Sequence, residues 1–512
     1  MSSFNAWGSV VLLAFSVACS DPAAETPSGG DSAAEVQSPL AARMAAMSRG
    51  TGDVPSLGDL SVLGRRLQGD FDAMVERRAV RALVPLSKTF YFLDGGQQRG
   101  LSYEALKQFE KELNERLETR HLRVYVVIIP VGREELIYGL VEGYGDVALG
   151  NLTITDARRK LVDFSEPLMT GVDEVVVTGP SGGNDGKLES LDDLSGREIV
   201  VRRSSSYYES LARLNERFRA AGRAPMQLTL ADELLEDEDL LEMVNAGLIP
   251  TVVVDEHKAS FWAQVFEDIV VRDDLVIHAG GEIAWAFRKD SPQLAEVVNA
   301  FVNDHKRGTL MGNILFNRYL QSTRWARRAF SEEGRARFKD TAELFQRYAD
   351  QYGFPWLMVT AQAYQESGLD QSLRSPAGAV GVMQLLPSTA ADKNVGIQNI
   401  EELESNIHAG VKYLRFIHDR YFADADMDDV NKSLFSFAAY NVGPARVDQL
   451  RRKAEKMGFD PNVWFRNVEV VAAQDIGRET VQYVSNIFKY YIAYQRSVAM
   501  EAARALARDA SE

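Results

Sequence analysis

The residue in this chain best suited to acid chemistry is Glu366. It closes an apolar helical run that begins Trp356-Leu357-Met358-Val359 and continues through Ala361 and Ala363. At helical spacing it shares a face with Val359, Gln362 and Ala363, which sets its carboxyl on a mostly apolar stripe. Burial there would disfavour the charged form and hold the proton to higher pH, the property that a general acid working near neutrality requires. Gly368 can end the helix, Pro376, Gly378 and Gly381 shape a loop, and a new apolar turn starts at Val382-Met383-Gln384. A loop folded back over a helix end can form one wall of a cleft.

The elements that must position Glu366 are helical. From about Arg324 onward Ala, Leu, Arg and Glu dominate and β-branched runs are few. Residues 345–352 lead into Pro355, a suitable start for the helix that presents Glu366. Residues 406–416 and 434–439 read as further amphipathic helices, and Gly443-Pro444 breaks the chain just after Tyr440 and Asn441, placing both near a helix end. The histidines at 121, 257, 278, 305, 408 and 418 form no HExxH, and one cysteine cannot make a zinc-site spacing, so neither metal nor cofactor is expected. His408 and His418 are expected on helix surfaces.

Four segments in order, Glu366-Ser367, SPAGAVGVMQ from Ser375 to Gln384, Ala439-Tyr440-Asn441, and ETVQYV from Glu479 to Val484, resemble the motifs of the Slt-type lytic transglycosylases; Val382 stands where leucine is usual. The resemblance implies a mainly helical, lysozyme-like fold that cleaves peptidoglycan glycan strands. It also implies that Glu366 acts twice, first protonating the glycosidic oxygen between N-acetylmuramic acid and N-acetylglucosamine. The resulting carboxylate then takes the proton of the muramic C6 hydroxyl, which attacks C1 and leaves a 1,6-anhydro end. Most glycosidases use two carboxylates; Asp370 follows Glu366 closely, but the family gives it no such role. Ser367, Ser375, Gln384 and Asn441 would bind the sugar amides and hydroxyls, Met383 and Tyr440 would wall the sugar faces, and Tyr483 would hold Glu366 in place. Two alternatives stay open: a goose-type muramidase that hydrolyses the same bond, and a non-catalytic sensor that only holds peptidoglycan.

From about Leu60 to Leu320 strand and helix patterns alternate. Leu106, Phe109, Leu113 and Leu117 fall at helical spacing, and residues 124–129, 146–149, 198–201 and 251–254 are strand candidates, together predicting an α/β domain with a mostly parallel sheet. GDVALGNLTITDARRKLVDFSEP, from Gly145 to Pro167, resembles the ligand-binding core of the family-3 periplasmic solute-binding proteins. That resemblance implies two lobes around a cleft, the first running from about Phe71 to Gly179 and resuming near Val276. Thr153 and Arg158 would clasp a ligand α-carboxylate, Asp255 would pair with its ammonium, and the serines through Ser206 would offer backbone amides to an anion. The ligand expected is amino-acid-like or a muropeptide, and Arg202 and Arg203 allow it extra negative charge. A closing cleft fused to an enzyme domain suggests regulation rather than transport. The fusion of these two domain types resembles the membrane-bound, type F lytic transglycosylases.

At 512 residues the chain exceeds a single core. The formal charge of −16 argues against a nucleic-acid partner. The one cysteine, Cys19, follows a short apolar segment from Trp7 to Ala18, and Ser16-Val17-Ala18-Cys19 resembles a bacterial lipoprotein processing site, a plain cleaved signal peptide being the alternative. The expected layout is a signal peptide over 1–18, a disordered tether over 19–58, a solute-binding-like regulatory domain over 59–323, a catalytic domain over 324–500 and a tail over 501–512. In short, a multidomain chain is expected: a two-lobed α/β domain, then a mainly α domain, lipid-anchored at Cys19 on the periplasmic face of the outer membrane.

Overall fold

A computed structural model describes residues 66–498 apart from 95–96, 180–187, 330–331, 424–425, 478, 489, 492–493 and 496–497. Cys19, the expected signal peptide, tether and tail lie outside the described residues.

The N-terminal domain is built on one nine-stranded sheet flanked by helices. Its elements are α1 (Phe71–Glu76), β1 (Ala79–Pro85), β2 (Phe92–Asp94), β3 (Gln97–Arg99), α2 (Leu101–Arg116), β4 (Tyr125–Val131), α3 (Glu135–Val141), β5 (Val147–Thr153), α4 (Asp156–Arg159), β6 (Val162–Phe164) and β7 (Met169–Thr178). Then follow β8 (Glu198–Val201), α5 (Ser206–Ala220), β9 (Gln227–Leu230), α6 (Asp237–Asn245), β10 (Thr251–Asp255), α7 (Glu256–Trp262), β11 (Val270–Arg288), α8 (Pro292–His305), α9 (Leu310–Leu320) and α10 (Arg324–Ala329). The strands run β4-β1-β5-β11-β7-β10-β8-β9, with β6 beside β11, while β2 and β3 form a separate hairpin. Strand β4, YVVIIPV, is buried along its whole length, as a strand covered on both faces by helices must be.

Two parallel wings, β4-β1-β5 and β10-β8-β9, are thus joined by the long antiparallel strands β7 and β11. The expected parallel character holds in the wings only. The centre is antiparallel because the chain crosses from the first lobe to the second in β7 and returns in β11, 19 residues long, whose register against β7 shifts repeatedly. Each lobe has its own core: Phe109 meets Trp285 and Phe301 edge to face in the first, and Leu211, Phe218, Phe261 and Trp262 fill the second. Helix α10 remains with this domain in its packing, since Trp325 stacks on Phe92 and Phe261.

The C-terminal domain comprises α11 (Glu332–Tyr352), α12 (Trp356–Ser367), α13 (Pro387–Ala391), α14 (Leu403–Tyr421), α15 (Asp429–Val442), α16 (Pro444–Lys456), a π-turn (Trp464–Val468), α17 (Glu469–Asp475) and a helical segment 479–488, here α18. Its core, with Phe345, Val359, Leu414, Phe435, Trp464 and Ile487, is continuous with one face of the first lobe through Tyr125, Val127, Ile129 and Leu136. Polar links cross the same boundary. The Arg78 guanidinium pairs with Glu469, which is 0% exposed, and Gln97 Nε2 donates to the Gly368 carbonyl at 3.3 Å. Beside that contact a gap of about 480 Å³ separates the domains, bordered by Tyr103, Tyr364, Gln482 and Tyr490.

His408 and His418 are half-buried rather than on open helix surface: Tyr352 Oη lies 2.8 Å from His408 Nε2, and Tyr348 stacks on the same ring.

Candidate active site

Glu366 lies in the last turn of α12, whose small residues Ala361 and Ala363 are fully buried against the surrounding core. The helix ends where Gly368 takes the left-handed conformation, φ +63°, and its N–H caps the Tyr364 carbonyl at 2.8 Å. Tyr483, 5% exposed on α18, donates its hydroxyl proton to Glu366 Oε1 at 2.5 Å, and Gln362 Nε2, one turn before Glu366, donates to the same hydroxyl at 3.1 Å. Burial pushes the Glu366 carboxyl up to about 7, against the opposing pull of the Tyr483 hydrogen bond. A carboxylic acid so placed is largely protonated below neutrality, and near pH 7 it can both give up and take back its proton.

The other motif residues build the wall beside it. Ser367 Oγ donates to the Val382 carbonyl at 2.9 Å and ties the loop to α12. Tyr440 Oη donates to the Met383 carbonyl at 2.7 Å and lies within electrostatic reach of Glu366. Met383 is wholly buried, and a Cβ at Gly410 would stand 2.6 Å from its Cγ. Its side chain therefore packs the loop down onto α14 instead of lining open surface. Ser375 Oγ accepts from the Ala379 N–H at 3.0 Å, and Gln384, at φ +43°, donates to the Gly381 carbonyl at 2.8 Å; both serve their own loop in this structure. Asn441 is exposed and its Oδ1 accepts from the Thr480 hydroxyl at 2.7 Å. The structure thus brings together Glu366, Tyr483 and Tyr440, and leaves Asn441, Gln384 and Ser375 at the margin.

Three supporting residues escaped sequence reasoning: Gln362, noticed only as a neighbour on the helix face, Thr480, and Asn406. Asn406 is 0% exposed on α14, where its Oδ1 accepts from the Met383 N–H at 2.8 Å and its Nδ2 donates to the Val380 and Ile400 carbonyls. The signal was present, since an Asn on the apolar face of an amphipathic helix needs partners.

Replacing Tyr483 separates positioning from acidity. Its O–H stabilises the charged form of Glu366, so Tyr483→Phe is expected to move the alkaline limb of the pH–rate profile up by about one unit, because a hydrogen bond to a charged group is worth roughly 1.5–3 kcal/mol and one pKa unit about 1.4 kcal/mol. The rate should also fall on the order of tenfold as the carboxyl loses its orientation. An unmoved limb would remove Tyr483 from the acid's environment.

The four residues expected to hold a small ligand meet where the lobes of the first domain face each other. Ser206 Oγ donates to Thr153 Oγ1 at 3.3 Å, joining the start of α5 to the end of β5. Arg158 is 9% exposed, and its guanidinium donates to two carbonyls, Thr153 at 2.7 Å and Ser204 at 2.9 Å, one from each lobe. Asp255 Oδ2 is bonded by Asn151 Nδ2 at 2.6 Å and by Lys258 Nζ at 2.8 Å. Lys258 pairs as well with Asp237, which in turn binds Arg202, while Arg133 and Glu236 form a 2.5 Å pair from opposite lobes. Sequence reasoning saw Asp255 and Arg202 but not this network.

Comparison with known sequences assigns both halves. Residues 83–321 match the family described as bacterial extracellular solute-binding proteins, family 3, and residues 343–462 match the transglycosylase SLT domain. The fold and site therefore define a solute-binding domain fused to a lysozyme-like transglycosylase domain. A membrane-bound lytic murein transglycosylase F from Maricaulis maris is 31% identical over 70% of this chain and 78% of its own. Namesakes from Desulfosudis oleivorans (29% identical; 78% of this chain and 86% of its own) and Pseudomonas fluorescens (26% identical; 81% and 84%) align over still more of this chain. The chain belongs to the membrane-bound lytic murein transglycosylase F family and is an enzyme of that class. Among the described residues, no helix is long and apolar enough to cross a membrane.

Proposed function

We propose that the chain cleaves the bond between N-acetylmuramic acid and N-acetylglucosamine in peptidoglycan with formation of 1,6-anhydromuramic ends, and that a small ligand in the first domain regulates it. The observation that carries the first part is one half-buried carboxyl, Glu366, protonated near neutrality and held by Tyr483. The neighbouring Asp370 is no partner for it, since that carboxylate is exposed and binds the N–H and hydroxyl of Ser372 at 2.8 and 2.6 Å. A single group must then serve as acid and base in turn. Glu366 gives its proton to the glycosidic oxygen as the C1–O bond breaks. The carboxylate so formed accepts the proton of the muramic C6 hydroxyl as that oxygen bonds to C1, which restores the acid and consumes no water. Ser367, Ser375, Gln384, Tyr440 and Asn441 shape the wall along which the sugars bind, and Met383 packs that wall onto α14 from behind.

Regulation is supported by the place of Thr153, Arg158, Ser206 and Asp255 between the lobes and by the contact of the first lobe with the end of the catalytic helix at Gly368. Arg158→Ala is expected to abolish any effect of an added stem peptide on cleavage; an undiminished effect would place the effector elsewhere. A lipid anchor at Cys19 on the periplasmic face of the outer membrane completes the reading.

Mass spectrometry of the products from purified peptidoglycan tests the chemistry. Products ending in 1,6-anhydromuramic acid support the proposal; reducing muramic ends would mean hydrolysis of the goose-type kind, and an absence of products would mean a binding role.

A further inference from the structure

Among the described residues, the charges between the lobes of the first domain do not all find partners. Arg133, Arg202 and Lys258 are matched by Glu236, Asp237 and Asp255 through the ion pairs described above. Two charged side chains stand outside that balance. One is Arg158, whose hydrogen bonds go to carbonyls, which accept but carry no charge. The other is Glu174, 1% exposed on β7, neither of whose carboxylate oxygens has a hydrogen-bond partner.

Register places Glu174 at the cleft. It lies directly opposite Asp255 on the antiparallel neighbour β10, so the two side chains share one face of the sheet. Asp255 Oδ1 is likewise buried without a partner, its other oxygen being taken by Lys258 and Asn151. The Ser206 and Ser210 hydroxyls of α5 are near enough to ease the charged form of Glu174 without reaching hydrogen-bonding geometry, and exposed Arg213 binds Ser210 instead. Burial dominates and raises the Glu174 carboxyl to about 7. Arg158 feels the charge of Glu209 more than that of Glu174, and makes an ion pair with neither. Buried polar groups left without partners are costly to the fold, and sites that meet a ligand are where such a cost recurs.

We propose that Glu174 is the charge-bearing acceptor of the interlobe site, which takes a small zwitterion whose carboxylate meets Arg158 and whose free ammonium lies between Glu174 and Asp255 Oδ1. This rests on the reading that the first domain binds a small ligand. Lys258 already neutralises Asp255, so Asp255 contributes an oxygen to that ammonium while Glu174 contributes the charge. The N-terminus of α5, 15 residues long and capped by Ser205, favours the anionic end of the same ligand. Loss of the ammonium, as by N-acetylation, would leave the Glu174 carboxyl buried and unmatched.

Calorimetric titration of the purified chain tests this with L-alanine, L-lysine and D-alanyl-D-alanine, each with a free and an acetylated amine. At least one free-amine probe is expected to bind, its acetylated form to bind at least tenfold more weakly, and Glu174→Gln to weaken the free form by a similar factor. Glu174→Leu is expected to raise the melting temperature of the ligand-free protein by roughly 2–4 °C, because it removes a buried carboxylate that nothing satisfies. Equal affinity of wild type and Glu174→Gln for a probe that binds would overturn the role of Glu174 and leave the binding domain standing. A lowered melting temperature in Glu174→Leu would make the residue structural and overturn it as well. Failure of every free-amine probe to bind wild type would overturn both this inference and the binding role beneath it.

Discussion

Glu366→Gln is expected to reduce peptidoglycan cleavage on the order of a thousandfold or more while leaving the fold intact. Loss of a general acid or base alone costs about 10²–10⁴ in rate, and here one side chain fills both roles. The amide keeps the shape of the carboxyl and can still accept from Tyr483, so circular dichroism should match wild type. Wild-type activity should fall as pH rises past about 7, because the protonated form is the one that starts the reaction. Stability carries a linked signature. In the unfolded chain Glu366 releases its proton near the ordinary 4.5, whereas the folded protein holds it to about 7. Between those values the native state binds a proton that the unfolded state has lost, so stability falls with rising pH across that window. Glu366→Gln removes the slope, and denaturant titrations of both proteins at pH 4 and pH 8 should diverge accordingly. Residual cleavage within tenfold of wild type would end the single-carboxylate mechanism.

Lys258→Met should have the largest effect on stability, a loss of about 3–5 kcal/mol in urea unfolding of the first domain. Lys258 is 2% exposed and lies between Asp237 and Asp255, with the Tyr207 hydroxyl 2.8 Å from its ammonium. Burial opposes its charge, but the two aspartates outweigh burial and raise its pKa above the ordinary value. Removing the ammonium leaves two carboxylates, 2% and 1% exposed, deprived of it in a region of low dielectric. A loss below 1 kcal/mol would mean that the network relaxes or admits water.

Helix α12 was legible because its determinants are local: apolar spacing, a glycine one residue past the end and a carboxyl on the apolar face all lie within about a dozen residues. The loop from Ser375 to Gln384 was legible for the same reason. What the chain did not disclose depends on distant partners. The run Glu236-Asp237-Glu238-Asp239 has the composition of a solvated helix start, yet all four residues are buried, and Arg133, Arg202, Ser87, Lys88 and Lys258 come from elsewhere to meet them. Strand patterning also carries no information on direction. Residues 251–254 gave a strand by composition, but nothing in them showed that β10 would run antiparallel to β7 and so set Asp255 opposite Glu174. Met383 was legible as a motif position and misread as a sugar-facing wall, since the close approach of Gly410 that buries it comes from another helix.

The pairing of Arg78 with Glu469 bears on how such chains can be assembled from parts. Glu469 lies wholly inside the protein, but its cationic partner is supplied by the other domain. The two halves are therefore not freely exchangeable units. A recombinant that joins this catalytic domain to an unrelated binding domain would carry an interior carboxylate deprived of its guanidinium, and selection would favour only those fusions that bring a cation to the same place. Proteins of this architecture are expected to diversify by gradual change within an inherited pair of domains more readily than by shuffling one half for another.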